Sequence, residues 1–137
     1  MVWKTNRETA IKVFDRIENF SREVACYTIL GERDIYDVAG FTVPQLIEED
    51  HELRVVEMSI VSAPYLLDFG KSWVGTRPDY SSEQWGEYEE GRKELFGANW
   101  DLIKSAMSIL RRYGIYYIDP SPNNINCESH PLAVKTD

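Results

Sequence analysis

The most specific local pattern in the chain is Tyr117-Ile118-Asp119-Pro120-Ser121-Pro122-Asn123-Asn124-Ile125, a carboxylate and an amide on one proline-pinned loop. Read locally, Asp119 before Pro120 is a turn residue whose carboxylate bonds nearby backbone, and Asn124 is its partner in closing the loop. A second pair, Lys12 and Glu23, lies far upstream on two different elements and could form an ion pair, which contributes little if exposed. Other chemistries find less support. Cys26 and Cys127 are far apart in apolar or turn contexts, which suits buried free thiols better than a disulfide framework or a zinc site. His51 and His130 have no second His or Cys at ligand spacing and are expected to be solvated loop histidines.

Four features in order carry a resemblance to the protein-kinase-like superfamily. The Asp119 to Asn124 loop, entered from a helix through Gly114, resembles that family's catalytic loop, Asp-x-x-x-x-Asn with a proline before the final pair. Ala10-Ile11-Lys12 resembles the third-strand motif, and Glu23 in Phe20-Ser21-Arg22-Glu23-Val24 resembles the helix glutamate that pairs with its lysine. Leu53–Ile60 resembles the strand leading into the adenine-reading hinge, with Glu57 and Met58 at its end. Val134-Lys135-Thr136-Asp137 places an aspartate where the family has its metal-binding Asp-Phe-Gly. The resemblance implies that Lys12 neutralises phosphate, Glu23 orients it, and Glu57 and Met58 contact the nucleotide. It further implies that Asp119 accepts the hydroxyl proton and that Asn124 and Asp137 hold magnesium. The implied cofactor is weakly bound Mg-ATP.

Departures from the family pattern shape the expected function. No glycine precedes Lys12, so a glycine-rich phosphate cover is missing; Tyr117-Ile118-Asp119 stands for His-Arg-Asp; and Ser121 occupies the place of a γ-phosphate lysine. The expectation is a truncated kinase-like protein related to ATP-dependent phosphotransferases, weakly active or inactive as an isolated chain and serving as a binding module. The alternative is an active serine/threonine-type or small-molecule phosphotransferase completed by a partner chain or further C-terminal residues. Asp68-Phe69-Gly70 spells the metal motif but precedes the loop. It is therefore read as linker, with turn chemistry at Asp68-x-Gly and packing from Leu66, Leu67, Phe69 and Trp73.

The elements that must position these residues read as α+β in a single domain, 1–137. Residues 1–61 form a sheet-containing small lobe, and 62–137 hold the hinge, helices and catalytic-loop-like segment. Strands are expected at Val2–Lys4 and Thr9–Phe14, with Lys12 facing away from Ile11 and Val13. A helix over Glu18–Leu30 is expected to stop at Gly31. Phe41–Ile47 and Leu53–Ile60 read as a strand pair, and Ser62–Tyr80 has no clear pattern. Ser82–Phe96 reads as a helix weakened by Gly86 and Gly91. Asn99–Tyr113 is the strongest helix, capped by Asn99 and stopped by Gly114. Short strands over Ile115–Ile118, Ile125–Cys127 and Leu132–Thr136 complete the chain.

Composition sets the partners. With 137 residues, 43% hydrophobic, the chain can bury about two-thirds of its surface around one core. A net charge of −8 disfavours nucleic acid, and the lack of a long apolar run disfavours a membrane span, so a cytoplasmic location is expected. The uncovered edge Val2-Trp3-Lys4 and the apolar stripe Ile103, Met107, Leu110 and Tyr113 predict a homodimer or a protein partner. A monomer is expected instead if Ser82–Phe96 folds back over the stripe through Trp85, Tyr88, Leu95 and Phe96.

Overall fold

The computed structural model describes residues 2–118 and 120–133. It is mixed α+β. The first two strands, β1 (Val2–Lys4) and β2 (Thr9–Val13), form a hairpin whose turn is closed by the Thr5 amide donating to the Thr9 carbonyl at 2.8 Å. Helix α1 (Ile17–Glu32) follows, burying Phe20, Glu23, Cys26, Tyr27 and Leu30 along one face, a spacing of three and four residues. It runs past Gly31. The left-handed residue after it is Asp34, with φ +53, while the Ile35 amide reaches back to the Leu30 carbonyl at 2.9 Å. Aspartate tolerates that conformation, so the expected glycine stop was not required.

The expected strand over Phe41–Ile47 divides between two sheets. Strands β3 (Asp37–Val38) and β4 (Phe41–Thr42) form one short hairpin, and β5 (Leu46–Asp50) pairs with β6 (Val55–Ser59) in another. Pro44 lies between them and has no amide proton to continue a ladder. The unassigned stretch supplies β7 (Tyr65–Leu66) and β8 (Trp73–Val74). Helices α2 (Ser82–Phe96) and α3 (Trp100–Arg112) are joined by a 3₁₀ turn, Gly97–Asn99. Two short strands, β9 (Ile115–Tyr116) and β10 (Ile125–Asn126), follow. The main sheet has the order β1-β2-β6-β5, all antiparallel; the second runs β10-β7-β4-β3; and β8 pairs with β9.

Helix α3 is buried within its own chain. Ile103, Ala106 and Leu110 are fully enclosed, and Trp100 almost so, against β9 and β3. The sequence looked to α2 or a second copy to cover this stripe; α2 does pack against α3, with Tyr88 and Phe96 meeting the Trp100 ring at 6.5 and 6.1 Å, although none of its own residues is fully buried. The helical argument for a homodimer therefore has no exposed stripe to rest on, while Val2 and Trp3 on the β1 edge remain about half exposed. No described helix is long and apolar enough to cross a membrane.

His130 departs from the solvated loop expected of it. Its ring is buried, with Nε2 at 2.8 Å from the Ala39 carbonyl and Nδ1 accepting from the Leu132 amide at 3.1 Å, which sets Nε2 as the protonated nitrogen. Gly40 makes the fit possible: with φ +88, a Cβ there would lie 2.5 Å from His130 Nε2. His51 is exposed, with its ring edge-on to Phe20, and the thiols of Cys26 (buried) and Cys127 (half-buried) are free.

Candidate functional site

Alternation along β2 determines which way Lys12 points. In register, Lys12 faces Val56 and Ala10 faces Met58, so these four share the side of the sheet covered by α1. There the Lys12 ammonium lies 3.1 Å from Glu23 Oε1 and 3.2 Å from Asp68 Oδ1, and 4.6 Å from the Phe14 ring centroid. Glu23 is fully buried on α1. Its Oε1 also accepts from the Phe69 amide at 2.9 Å, whereas Oε2 has no hydrogen-bond partner. Burial raises the Glu23 carboxyl above the ordinary carboxylate value; Lys12 opposes this, and the nearby Asp68 charge adds to it.

Asp68 is the residue that sequence order misplaced. Far from being a plain linker turn, it occupies a left-handed conformation, φ +65, beside Lys12 and Glu23. Pairing of distant strands brings it there. Strand β7 ends two residues before Asp68 and lies antiparallel to β10, with Ile125 opposite Leu66. The Leu67 amide donates to the Asn124 carbonyl at 2.7 Å, so Asp68 and Asn124 come together although 55 residues separate them in sequence. The packing residues of this stretch include Leu66 and Phe69, both fully buried, while Trp73 stays 37% exposed.

An aromatic column stiffens the floor. The Tyr27, Phe69 and Tyr117 rings meet edge-on at centroid distances of 5.4 and 5.3 Å, and the Tyr117 hydroxyl donates to the Leu67 carbonyl at 2.6 Å. Burial pushes the Tyr27 hydroxyl well above its usual value, so it stays protonated. Burial likewise pushes the Cys26 thiol up to about 12, with further help from the Glu23 charge, which makes it a poor nucleophile.

Above this floor opens a cleft of about 370 Å³. Lys12, Glu23, Asp68, Asn123 and Asn124 supply its polar wall, and Met58, Ile60 and Val61 its apolar one. Val2 and Lys4 of β1 line the side toward the sheet edge. Of the residues singled out in the sequence, Lys12, Glu23, Met58 and Asn124 thus meet at one cleft. Glu57 does not: it alternates to the other side of β6, where its carboxylate accepts from the Thr9 hydroxyl. Asp119 and Asp137 lie outside the described residues, as does the expected strand beyond Ala133.

One ammonium faces two carboxylates, one of them buried and raised, the other 39% exposed and able to exchange partners. No family model matches the chain, and neither does any curated protein or solved structure.

Proposed function

We propose that this cleft binds a nucleoside triphosphate with a divalent cation, and that the chain is a kinase-like binding module. The observation carrying the proposal is the Lys12, Glu23 and Asp68 triad, with the Phe69 amide fastened to Glu23. Glu23, buried and doubly engaged through Oε1, holds the lysine extended over the cleft. Asp68 and Asn124 take the cation, so that Asp68 fills the role the sequence assigned to Asp137. This donor set suits Mg²⁺, which uses one or two carboxylates with phosphate oxygens and water and dispenses with an all-protein cage. Among the described residues there is no cluster of three or more His, Cys, Asp or Glu to favour a cage-bound metal. Met58, Ile60 and Val61 give the base an apolar wall.

Binding is favoured over transfer because β1 turns side chains, Val2 and Lys4, toward the cleft, where a glycine-rich cover would offer phosphate a row of amides. Each charge-assisted hydrogen bond forgone costs about 1.5–3 kcal/mol of affinity. Calorimetry with ATP and Mg²⁺ tests the reading: a Kd of roughly 0.1–1 mM is expected, lost in Lys12→Met and in Asp68→Asn. Binding unchanged in both variants, or no binding at about 5 mM nucleotide, overturns it. Phosphoryl transfer abolished by Asp119→Asn would instead establish the phosphotransferase alternative.

A further inference from the structure

A second cleft, of about 290 Å³, lies between α2 and α3 and is floored by Tyr116 and Tyr117. Its walls differ in chemistry. Trp85 and Tyr88 of α2 and the nearly buried Trp100 of α3 line it, with Trp85 and Tyr88 edge-on at 5.7 Å and Phe96 stacked on Trp100. Among the described residues the charged lining comprises Arg77, Lys104, Arg111 and one acid, Glu89.

That acid is already engaged. Glu89 Oε1 accepts from Trp100 Nε1 at 3.1 Å and from the Lys104 ammonium at 3.2 Å, and these bonds hold its carboxyl below the ordinary range. Lys104 is also paired to Asp101 at 3.3 Å. Neither guanidinium has such a partner. Arg77 is stacked over Trp85 at 5.1 Å, and Arg111 donates to the Ser108 hydroxyl at 2.9 Å; among the described residues no carboxylate pairs with either. In a chain of net charge −8, whose helix α2 carries five glutamates, a cleft whose described lining holds three cations and one neutralised acid runs against the average. Guanidinium groups bind carboxylate and phosphate through paired hydrogen bonds, and aromatic walls bury a flat ring.

We propose that this cleft is a binding site for a small aromatic anion, a ring bearing one carboxylate or phosphate, with Arg77 and Arg111 holding the oxyanion and the ring packed against the half-buried Trp85 and Tyr88. Its volume falls at the small end of ligand pockets, roughly 300–1,000 Å³, which suits a single ring with a short substituent. The inference is independent of the nucleotide reading, since no described residue lines both clefts.

Trp85 and Trp100 provide the readout. Titration of the full chain with phenyl phosphate and with phenylacetate should change tryptophan emission saturably, the stronger of the two naming the oxyanion. The neutral 2-phenylethanol and inorganic phosphate should each bind about tenfold more weakly or less. The double variant Arg77→Gln/Arg111→Gln, altered at two exposed positions, should lose about tenfold or more in anion affinity while keeping the wild-type unfolding midpoint. Lys12→Met should bind the anions as wild type does. Three results each overturn the proposal: no saturable response to either anion, equal affinity for the alcohol, or undiminished affinity in the double variant.

Discussion

The two clefts use lysine and carboxylate in opposite settings. Around Lys12 the counter-charge comes from Glu23, fully buried, and the groups are held by an amide, a salt bridge and an aromatic column. Around Lys104 both carboxylate partners are at least half exposed, and α2 buries no side chain. The position of Glu23 in the first cleft is therefore tied to global folding, because that carboxylate cannot move without exposing the core. Geometry in the second depends on surface contacts that individually contribute little, so the groups there can rearrange around a ligand.

The comparison is most readily broken at Glu23. Glu23→Ala leaves the Phe69 amide without its acceptor and Lys12 without its buried partner, and should cost about 3 kcal/mol in urea unfolding. The conservative Glu23→Gln sharpens it through pH. The folded carboxyl is raised above its unfolded value of 4.5, so the native state binds the proton more tightly. Its contribution is therefore full below 4.5 and is lost as pH climbs through the folded value. Wild type should accordingly lose stability relative to Glu23→Gln as pH rises through that window, and a difference independent of pH would show that Glu23 ionises alike in both states.

A smaller loss is expected at Gly40. Alanine there meets His130 at 2.5 Å in a left-handed conformation, which should cost about 2 kcal/mol and loosen the His130 bond to Ala39. Thermal unfolding measures it. The smallest effect lies on α2, where Gly86 and Gly91 have nothing within 4 Å of an added Cβ. Alanine at either should stabilise by roughly 0.5–1 kcal/mol, seen as a higher unfolding midpoint. If Glu23→Ala proved as mild as these helix substitutions, the contrast between a buried and an exposed charge site would fail.

Sequence patterns located what depends on local periodicity. The Lys12 face of β2, the Glu23 face of α1 and the Gly114 stop after α3, with φ +78, all follow from alternation, helical spacing or a single residue's backbone freedom. Asp68 was missed because order along the chain was taken for order in space, and the β7 to β10 ladder that defeats this is two residues long, too short for a periodic signal. Glu57 was assigned to the cleft by neighbourhood in sequence, although alternation along β6 already separates it from Met58. The burial of His130 depends on a cavity above Gly40, contributed by a segment 90 residues away. Asp101, Arg111 and Arg112 marked α3 correctly, whereas Asn99 makes no side-chain cap bond to it and belongs to the 3₁₀ turn before it, and nothing in the helix's own pattern indicated that β3 and β9 would cover it.

The bond from the Tyr117 hydroxyl to the Leu67 carbonyl joins positions 50 residues apart, and it lies directly under the cleft. Closing such a loop costs chain entropy before any contact is gained, whereas the β1 to β2 and β5 to β6 hairpins close over only a few residues. Assembly in time should therefore run from the sheet outward. Lys12 should be set on its strand early, and Asp68 and Asn124 should be fixed opposite it only once the 67–117 stretch holding α2 and α3 has closed, which places the cleft late in the expected order.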